Sequence, residues 1–178
     1  QLAWRRIKIQ SFSMEGRDGL KAFQQEYPCC PIEAFNSDVG DIFIQSELVA
    51  AARKSSFEKH GPLLIGVDPA YTGNDRTAII RRRGRVAYGL KTYLGIKNTE
   101  LAGVIHNIII EENPAKVFID FGMGTGVYDI LCELGHKNIL ALVNSATTAL
   151  NEKRYTNKRA EMWAMGKQWL EDGAQIPD

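Results

Sequence analysis

The chain has no long apolar run and few cysteines, and both absences narrow its class. Its longest apolar stretches, at residues 104–110 and 117–121, are far shorter than a membrane span, and its N-terminus has no signal-peptide core. Of its three cysteines, Cys29 and Cys30 are adjacent and Cys132 stands alone, so neither a CxxC zinc pattern nor an even disulfide framework is present. We therefore expect a cytosolic globular protein whose three cysteines are reduced and structural.

A charge excess and a nucleotide-binding P-loop are also absent. The 22 lysines and arginines nearly balance the 21 aspartates and glutamates, so net charge gives no sign of nucleic-acid binding and any basic surface must be local. No GxxxxGK[ST] motif occurs, so we expect this chain to bind no nucleotide through a P-loop. With 178 residues and 44% hydrophobic content, it can bury a core, and one domain with appendages is favoured.

The sequence pattern changes near residue 58. Before that point, three helical patterns alternate with irregular connections broken by Pro28 and Pro31. The first pattern begins at Leu2 without a cap or a methionine, which suggests a piece excised from a longer protein. We interpret residues 1–58 as a helical linker at the end of a preceding region, and residues 59–178 as a second domain.

The second region alternates strands and helices. Apolar, β-branched or aromatic runs predict strands at 63–67, 77–82, 85–94, 115–119 and 138–143, and helices at 99–112, 126–134 and 157–171. Turn residues at Gly73-Asn74-Asp75 and Arg83-Gly84 predict that the first three strands form an antiparallel meander. The order β-β-β-α-β-α-β-α therefore predicts an α/β fold with a mixed sheet flanked by helices, as in the RNase H-like fold.

Two aspartates stand where apolar strands end. Asp68 follows residues 63–67 and precedes Pro69, and Asp120 follows residues 117–119. A strand-end carboxylate is held rigidly at the rim of a sheet, so the two would converge on one cation if their strands are neighbours. Such carboxylates suit Mg²⁺ or Mn²⁺, and in a two-ion site Asp68 on the central strand would bridge both ions while Asp120 binds one. For Asp68, a simple Asp-Pro turn is the alternative.

Residues near these aspartates have more than one interpretation. Asp75, after the first hairpin turn, could reach the site directly or through water, or could serve the turn alone. The glycines Gly122, Gly124 and Gly126 suggest a backbone that passes close to a ligand. Their GxGxG spacing differs from the dinucleotide fingerprint GxGxxG, and the acid at Asp120 would repel a pyrophosphate, so dinucleotide binding is disfavoured.

Two basic clusters could contact phosphates, or could be ordinary solvated surface. The first lies at the second hairpin and the second leads into the last helix: Arg81, Arg82, Arg83, Arg85, Lys153, Arg154, Lys158 and Arg159. Neutralisation of the phosphate backbone dominates nucleic-acid affinity, so both clusters are candidates for DNA binding. We expect Trp4, Trp163 and Trp169 to pack, because the interval between the last two gives no aromatic platform for bases.

Five stretches, in order, resemble the C-terminal nuclease part of the phage terminase large subunit, the DNA-packaging motor of tailed bacteriophages and prophages. They are LAWRR at 2–6, FQQEYP at 23–28 with EAF at 33–35, GVDPA at 66–70 with DRTA at 75–78, FID at 118–120 with the following glycines, and NKRAEMW at 157–163. The resemblance implies an RNase H-like endonuclease that cuts concatemeric double-stranded viral DNA with Mg²⁺ or Mn²⁺ in the bacterial host cytoplasm. It places the family's first two acids at Asp68 and Asp120.

The resemblance also implies parts outside this sequence. A third acid would lie in an aspartate-rich segment well beyond residue 178, an ATPase domain would precede residue 1, and the portal and the small terminase subunit would be partners. With one of three carboxylates missing, we expect a fragment that folds but cleaves DNA weakly. The alternatives are another RNase H-like nuclease of the resolvase or transposase type, an actin-like ATPase or sugar kinase, and a noncatalytic docking module.

Overall fold

The structure is a computed structural model that describes residues 2–14, 19–27, 42–70 and 74–178. The chain forms two compact units, Gln1–Gln45 and Ser46–Asp178. Several residues of the sequence patterns lie outside the described ranges: Pro28, Cys29, Cys30, Pro31, the EAF segment at 33–35 and Gly73. Within the described ranges, no helix is both long and apolar enough to cross a membrane.

The described part of the first unit comprises two helices, α1 (Leu2–Met14) and α2 (Gly19–Glu26). An aromatic cluster joins them: the Trp4 ring lies 5.1 Å from the Tyr27 ring and 5.9 Å from the Phe23 ring, with edge-to-face geometry at both contacts. Phe23 is buried. Trp4 therefore contacts two aromatic rings, as the packing prediction requires, although its side chain stays 48% exposed.

The second unit is built around one five-stranded sheet. Its elements are α3 (Ser46–Lys54), β1 (Leu63–Asp68), β2 (Arg76–Arg83), β3 (Val86–Leu94), α4 (Asn98–Glu112), β4 (Lys116–Asp120), α5 (Phe121–Glu133), a 3-10 turn (Lys137–Ile139), β5 (Leu140–Val143) and α6 (Lys158–Glu171). The strand order is β3-β2-β1-β4-β5, with the first three strands antiparallel and β1, β4 and β5 parallel. The predicted element order and mixed sheet are confirmed, and β1 is the central strand.

The core lies between one face of the sheet and helices α4 and α5. Because side chains alternate along a strand, β1 directs Ile65 and Val67 into this core, where they pack with residues such as Ile105 of α4 and Leu131 of α5. Each such buried side chain contributes about 1.5–3 kcal/mol. The same alternation turns the intervening residues, including Asp68, to the opposite face.

Helix α5 begins five residues earlier than the sequence predicted. The glycine-rich segment after Asp120 forms the first turns of this helix instead of a loop. The Asp120 carboxylate caps the helix by accepting a hydrogen bond from the Gly122 N–H at 3.2 Å. A Cβ at Gly124 would lie 2.5 Å from Ile119 Cγ2 and 3.3 Å from Pro69 Cγ. Glycine thus lets the helix pack directly onto the ends of β1 and β4.

Helix α3 belongs to the second unit by its contacts. The Ile176 N–H donates to the Ala52 carbonyl at 3.1 Å, and the Phe57 N–H donates to Gln175 Oε1 at 2.8 Å. These bonds tie the end of α3 and the residues after it to the C-terminal segment. The domain boundary between residues 58 and 59 stays a proposal.

Candidate metal centre

Asp68 and Asp120 are neighbours at the rim of the sheet. The parallel register of β1 and β4 pairs Val67 with Ile119, and each aspartate is the next residue on its strand. A pocket of about 550 Å³ opens beside both carboxylates. Its lining is Asp68, Asp120, Ser145, Arg159, Met162 and Trp163. The fold therefore brings together the two aspartates that the sequence singled out.

The surroundings of Asp68 disfavour the ionised form of its carboxyl group. Partial burial raises the pKa of its carboxyl, and the negative charges of Asp120 and Asp75 raise it further. Two carboxylates held this close repel each other when both are ionised. A hard divalent cation would relieve that repulsion, and carboxylate oxygens are its preferred ligands, so the residues present fit such an ion.

The strand end that carries Asp68 is fixed by a residue that the sequence reasoning missed. The hydroxyl of Thr77, which is fully buried on β2, donates to the Ala70 carbonyl at 3.1 Å and accepts from the Ala70 N–H at 2.9 Å. This double contact clamps the Asp68-Pro69-Ala70 turn against β2. The signal was a threonine just after the hairpin turn, in DRTA at 75–78.

Asp75 stays a candidate metal ligand, acting directly or through water. It precedes β2 and lies close enough to Asp68 to raise the pKa of that carboxyl. Within the ranges that the structure describes, however, no three histidine, cysteine, aspartate or glutamate side chains converge as a ligand group. The described site thus consists of two carboxylates, with Asp75 nearby.

The fold engages two of the eight predicted basic residues internally. Arg81 is 7% exposed, and its guanidinium donates to the Glu112 carboxylate, at 2.6 Å for Nη2, and to the Gly89 carbonyl at 3.1 Å. Lys158 Nζ lies 2.7 Å from the buried Glu161 carboxylate. Because both cations are already paired within the fold, we do not propose Arg81 or Lys158 as DNA contacts.

The other basic residues lie nearer the surface. Arg82 lies over the Trp169 ring and Arg154 over the Tyr155 ring, and the Arg83 guanidinium donates to the Gly61 carbonyl at 2.8 Å. Arg85 and Lys153 are exposed. Arg159 differs from these in lining the pocket beside both aspartates.

Trp163 does not pack in the way that the sequence analysis expected. Its side chain is 58% exposed and lines the same pocket. The reason is its position on α6: Arg159, Met162 and Trp163 are three and four residues apart, so they share the helix face that borders the rim. Trp169 conforms to the expectation, since its indole N–H donates to the Gly84 carbonyl at 3.3 Å.

Of the three cysteines predicted to be reduced and structural, Cys132 lies within the described residues. Cys132 is a free thiol on α5 that packs against the core. The thiol is therefore structural, as expected.

Solved structures share this α/β fold, which is the RNase H-like class. No protein-family model matches the chain, and no curated protein matches it. The nuclease domain of the large terminase subunit gp2 of bacterial virus Sf6 is 20% identical, with a TM-score of 0.63 over 75% of this chain and 73% of that one. A mutant of that domain with manganese is 19% identical, with a TM-score of 0.60 over 75% and 72%.

A second phage gives a weaker likeness. The large terminase nuclease of the thermophilic phage G20c is 13% identical, with a TM-score of 0.50 over 67% of this chain and 62% of that one. The chain therefore has the fold of phage large-terminase nuclease domains. The predicted fold class and the predicted resemblance are confirmed at the level of the fold.

Proposed function

We propose that this chain is a metal-dependent endonuclease domain of a phage or prophage large terminase subunit, which cuts concatemeric double-stranded DNA during genome packaging. The observation that carries the proposal is the pairing of Asp68 with Asp120 on adjacent parallel strands of a terminase-nuclease fold. Mg²⁺ or Mn²⁺ is the proposed cofactor. Related nuclease domains were solved with calcium and with manganese, which supports a divalent ion.

Each aspartate has a distinct role in this proposal. Asp68, on the central strand, would bridge two ions, and Asp120, fixed as the cap of α5, would bind one. Asp75 would assist directly or through water. A divalent ion held by these aspartates would supply a nucleophile at neutral pH by lowering the pKa of a bound water, and would offset charge on the phosphate. With two carboxylates at the described site, one ion would be held weakly, so we expect slow cleavage.

The proposal extends to partners. Double-stranded DNA would cross the rim of the sheet, with Arg82, Arg83, Arg85, Lys153 and Arg154 as further candidate phosphate contacts. The ATPase domain of the same protein, the portal and the small terminase subunit would be its assembly partners in the host cytoplasm. Residues 1–58 would be the linker and residues 59–178 the nuclease domain.

Manganese titration combined with plasmid nicking tests the function. Isothermal titration should show Mn²⁺ binding to the wild type, and supercoiled plasmid should be nicked slowly in Mn²⁺ but not in EDTA. Asp68→Asn should abolish both, because it removes the bridging carboxylate. Asp129→Asn, which changes an exposed carboxylate on α5, is the matched control and should leave both unchanged.

Two outcomes would contradict the proposal. Equal nicking by Asp68→Asn and the wild type would refute the bridging role. A wild type that binds no Mn²⁺ and cuts no DNA would favour the noncatalytic docking module instead.

A further inference from the structure

We propose that Arg159 binds the phosphate at the cleaved bond and that Trp163, one helical turn further along α6, contacts the adjoining nucleotide. The start of α6 would thus form the DNA-positioning wall of the metal centre. This inference rests on the proposed nuclease function, and it adds the residues that hold the substrate.

The shape of the pocket supports this assignment. Asp68 and Asp120 form one side, and Arg159, Met162 and Trp163 of α6 form another, with Ser145 also in the lining. The volume of about 550 Å³ lies within the about 300–1,000 Å³ typical of small-molecule sites, so the pocket can hold a nucleotide of a DNA strand. An anionic phosphate placed there would lie between a cation held by the aspartates and a guanidinium.

The Arg159 guanidinium is available for a phosphate. Its side chain makes a long hydrogen bond, from Nη2 to Ser145 Oγ at 3.4 Å, and it forms no ion pair within the described ranges. Arg81, in contrast, is occupied by Glu112. Arginine presents planar paired donors that match two phosphate oxygens, which makes it better suited than lysine to this position.

The backbone at Arg159 is held in place by the segment before α6. The Arg159 N–H donates to the Ser145 carbonyl at 3.0 Å. Glu161, which is 4% exposed, accepts hydrogen bonds from the N–H groups of Leu150 at 3.0 Å and Asn151 at 3.1 Å. These contacts attach residues 144–151 to the first turn of the helix. A positioning group on such a fixed support loses little entropy when substrate binds.

Trp163 has the properties of a nucleotide contact. Its indole is 58% exposed at the edge of the pocket. A ring exposed to this extent stabilises the fold less than a buried ring does. Apolar contact of the indole with the sugar of a nucleotide would remove apolar surface from water without unpairing the duplex. Arg159 and Trp163 lie four residues apart, so they project from the same helix face and can contact neighbouring groups of one strand.

The test compares DNA binding, cleavage and metal binding on the same protein samples. Fluorescence anisotropy with a labelled duplex in Ca²⁺ reports binding, plasmid nicking in Mn²⁺ reports turnover, and isothermal titration reports the Mn²⁺ affinity. The variants are Arg159→Gln, Arg159→Lys, Trp163→Ala and Trp163→Phe. Arg53→Gln, an exposed arginine on α3 outside the pocket, is the matched control.

We expect Arg159→Gln to lower the nicking rate by about 100-fold, the size of effect seen when one donor to a developing charge is removed. Arg159→Lys should recover part of the rate. Trp163→Ala should weaken duplex binding by about fivefold, as expected for the loss of one apolar contact, with recovery in Trp163→Phe. Mn²⁺ affinity should not fall in any of the four variants, and Arg53→Gln should match the wild type.

The results separate this inference from the function on which it rests. If Arg159→Gln and Arg159→Lys are folded, bind Mn²⁺ and nick plasmid at the wild-type rate, Arg159 is not the phosphate contact, while the nuclease proposal stands. Wild-type duplex affinity in Trp163→Ala would overturn the role of Trp163. If the wild type neither binds Mn²⁺ nor nicks DNA, the nuclease proposal fails and this inference fails with it.

Discussion

Asp68 imposes a stability cost on the metal-free protein. Its carboxyl pKa is raised by burial and by the charges of Asp120 and Asp75. A raised carboxyl pKa means that the folded state disfavours the ionised form relative to the unfolded chain. At neutral pH, where the carboxylate is ionised in the unfolded chain, the folded protein is therefore less stable than it would be with a neutral side chain. Functional sites commonly carry such a cost.

We predict that Asp68→Asn melts at a higher temperature than the wild type in EDTA, because it removes the repulsion while keeping the side-chain shape. The same substitution should eliminate the stabilisation that Mn²⁺ gives to the wild type. Thermal unfolding at pH 7 with and without Mn²⁺ measures both effects. A lower melting temperature for Asp68→Asn in EDTA would contradict the electrostatic account.

At the residue scale, the sequence identified the aspartates but not the partners of most side chains. Strand ends are visible in a sequence because an apolar run stops, so Asp68 and Asp120 could be expected to lie together. The hydrogen bond between His106 and His136, at 2.8 Å, joins residues that no local spacing relates. Likewise, no residue near Arg81 in the sequence predicts its hydrogen bonds to Glu112. Such pairs depend on how α4 crosses the sheet.

Among the helices, α5 shows how a glycine can be required by packing. Gly124 lies where a Cβ would overlap Ile119, whereas a Cβ added at Gly103 of α4 would enter open space. The two positions therefore separate the steric effect of an added methyl group from its effect on helix propensity.

We predict that Gly124→Ala destabilises the protein by about 1–3 kcal/mol, because α5 must shift away from the ends of β1 and β4. Gly103→Ala, the matched control, should stabilise by about 0.5–1 kcal/mol through helix propensity alone. Urea denaturation of both variants measures the difference. Equal stabilisation by both substitutions would show that the helix accommodates the methyl group.

The strands and the later helices could be predicted closely, and the start of α5 could not. Alternating β-branched residues mark β1, β2 and β4, and breakers such as Pro114 mark helix ends. The three glycines after Asp120 have low helix propensity, so local preference indicated a loop. Capping by Asp120 and close packing against Ile119 outweigh that preference, and neither is visible before the strands are placed.

For the second unit as a whole, the ion pair between Arg81 and Glu112 connects the sheet to the helical layer. Arg81 of β2 and Glu112 at the end of α4 are joined by hydrogen bonds, which lower the pKa of the Glu112 carboxyl. A lowered carboxyl pKa contributes stability above the unfolded-state value of about 4.5, and this contribution is lost as the pH falls through the folded-state pKa. The pair therefore links acid stability to the packing of α4 on the sheet.

We predict that Glu112→Gln destabilises the protein by about 2 kcal/mol at pH 7, less than the about 3–5 kcal/mol for a fully buried pair, since Glu112 is partly exposed. The difference in the free energy of unfolding between the variant and the wild type should shrink below pH 4, where the wild-type carboxylate becomes protonated. Urea unfolding at pH 7 and pH 3 measures it. Glu111→Gln, its exposed neighbour, should behave as the wild type at both pH values.

The parallel pairing of β1 with β4 also governs when the metal centre comes into existence. Strands β1, β2 and β3 are consecutive hairpins whose contacts are local, so they can form early in folding. Asp68 meets Asp120 only after the chain has crossed through α4 and β4 has docked beside β1. A cation that needs both carboxylates would not bind to folding intermediates in which β4 has not yet paired with β1. It would therefore slow unfolding of the finished domain without accelerating its folding.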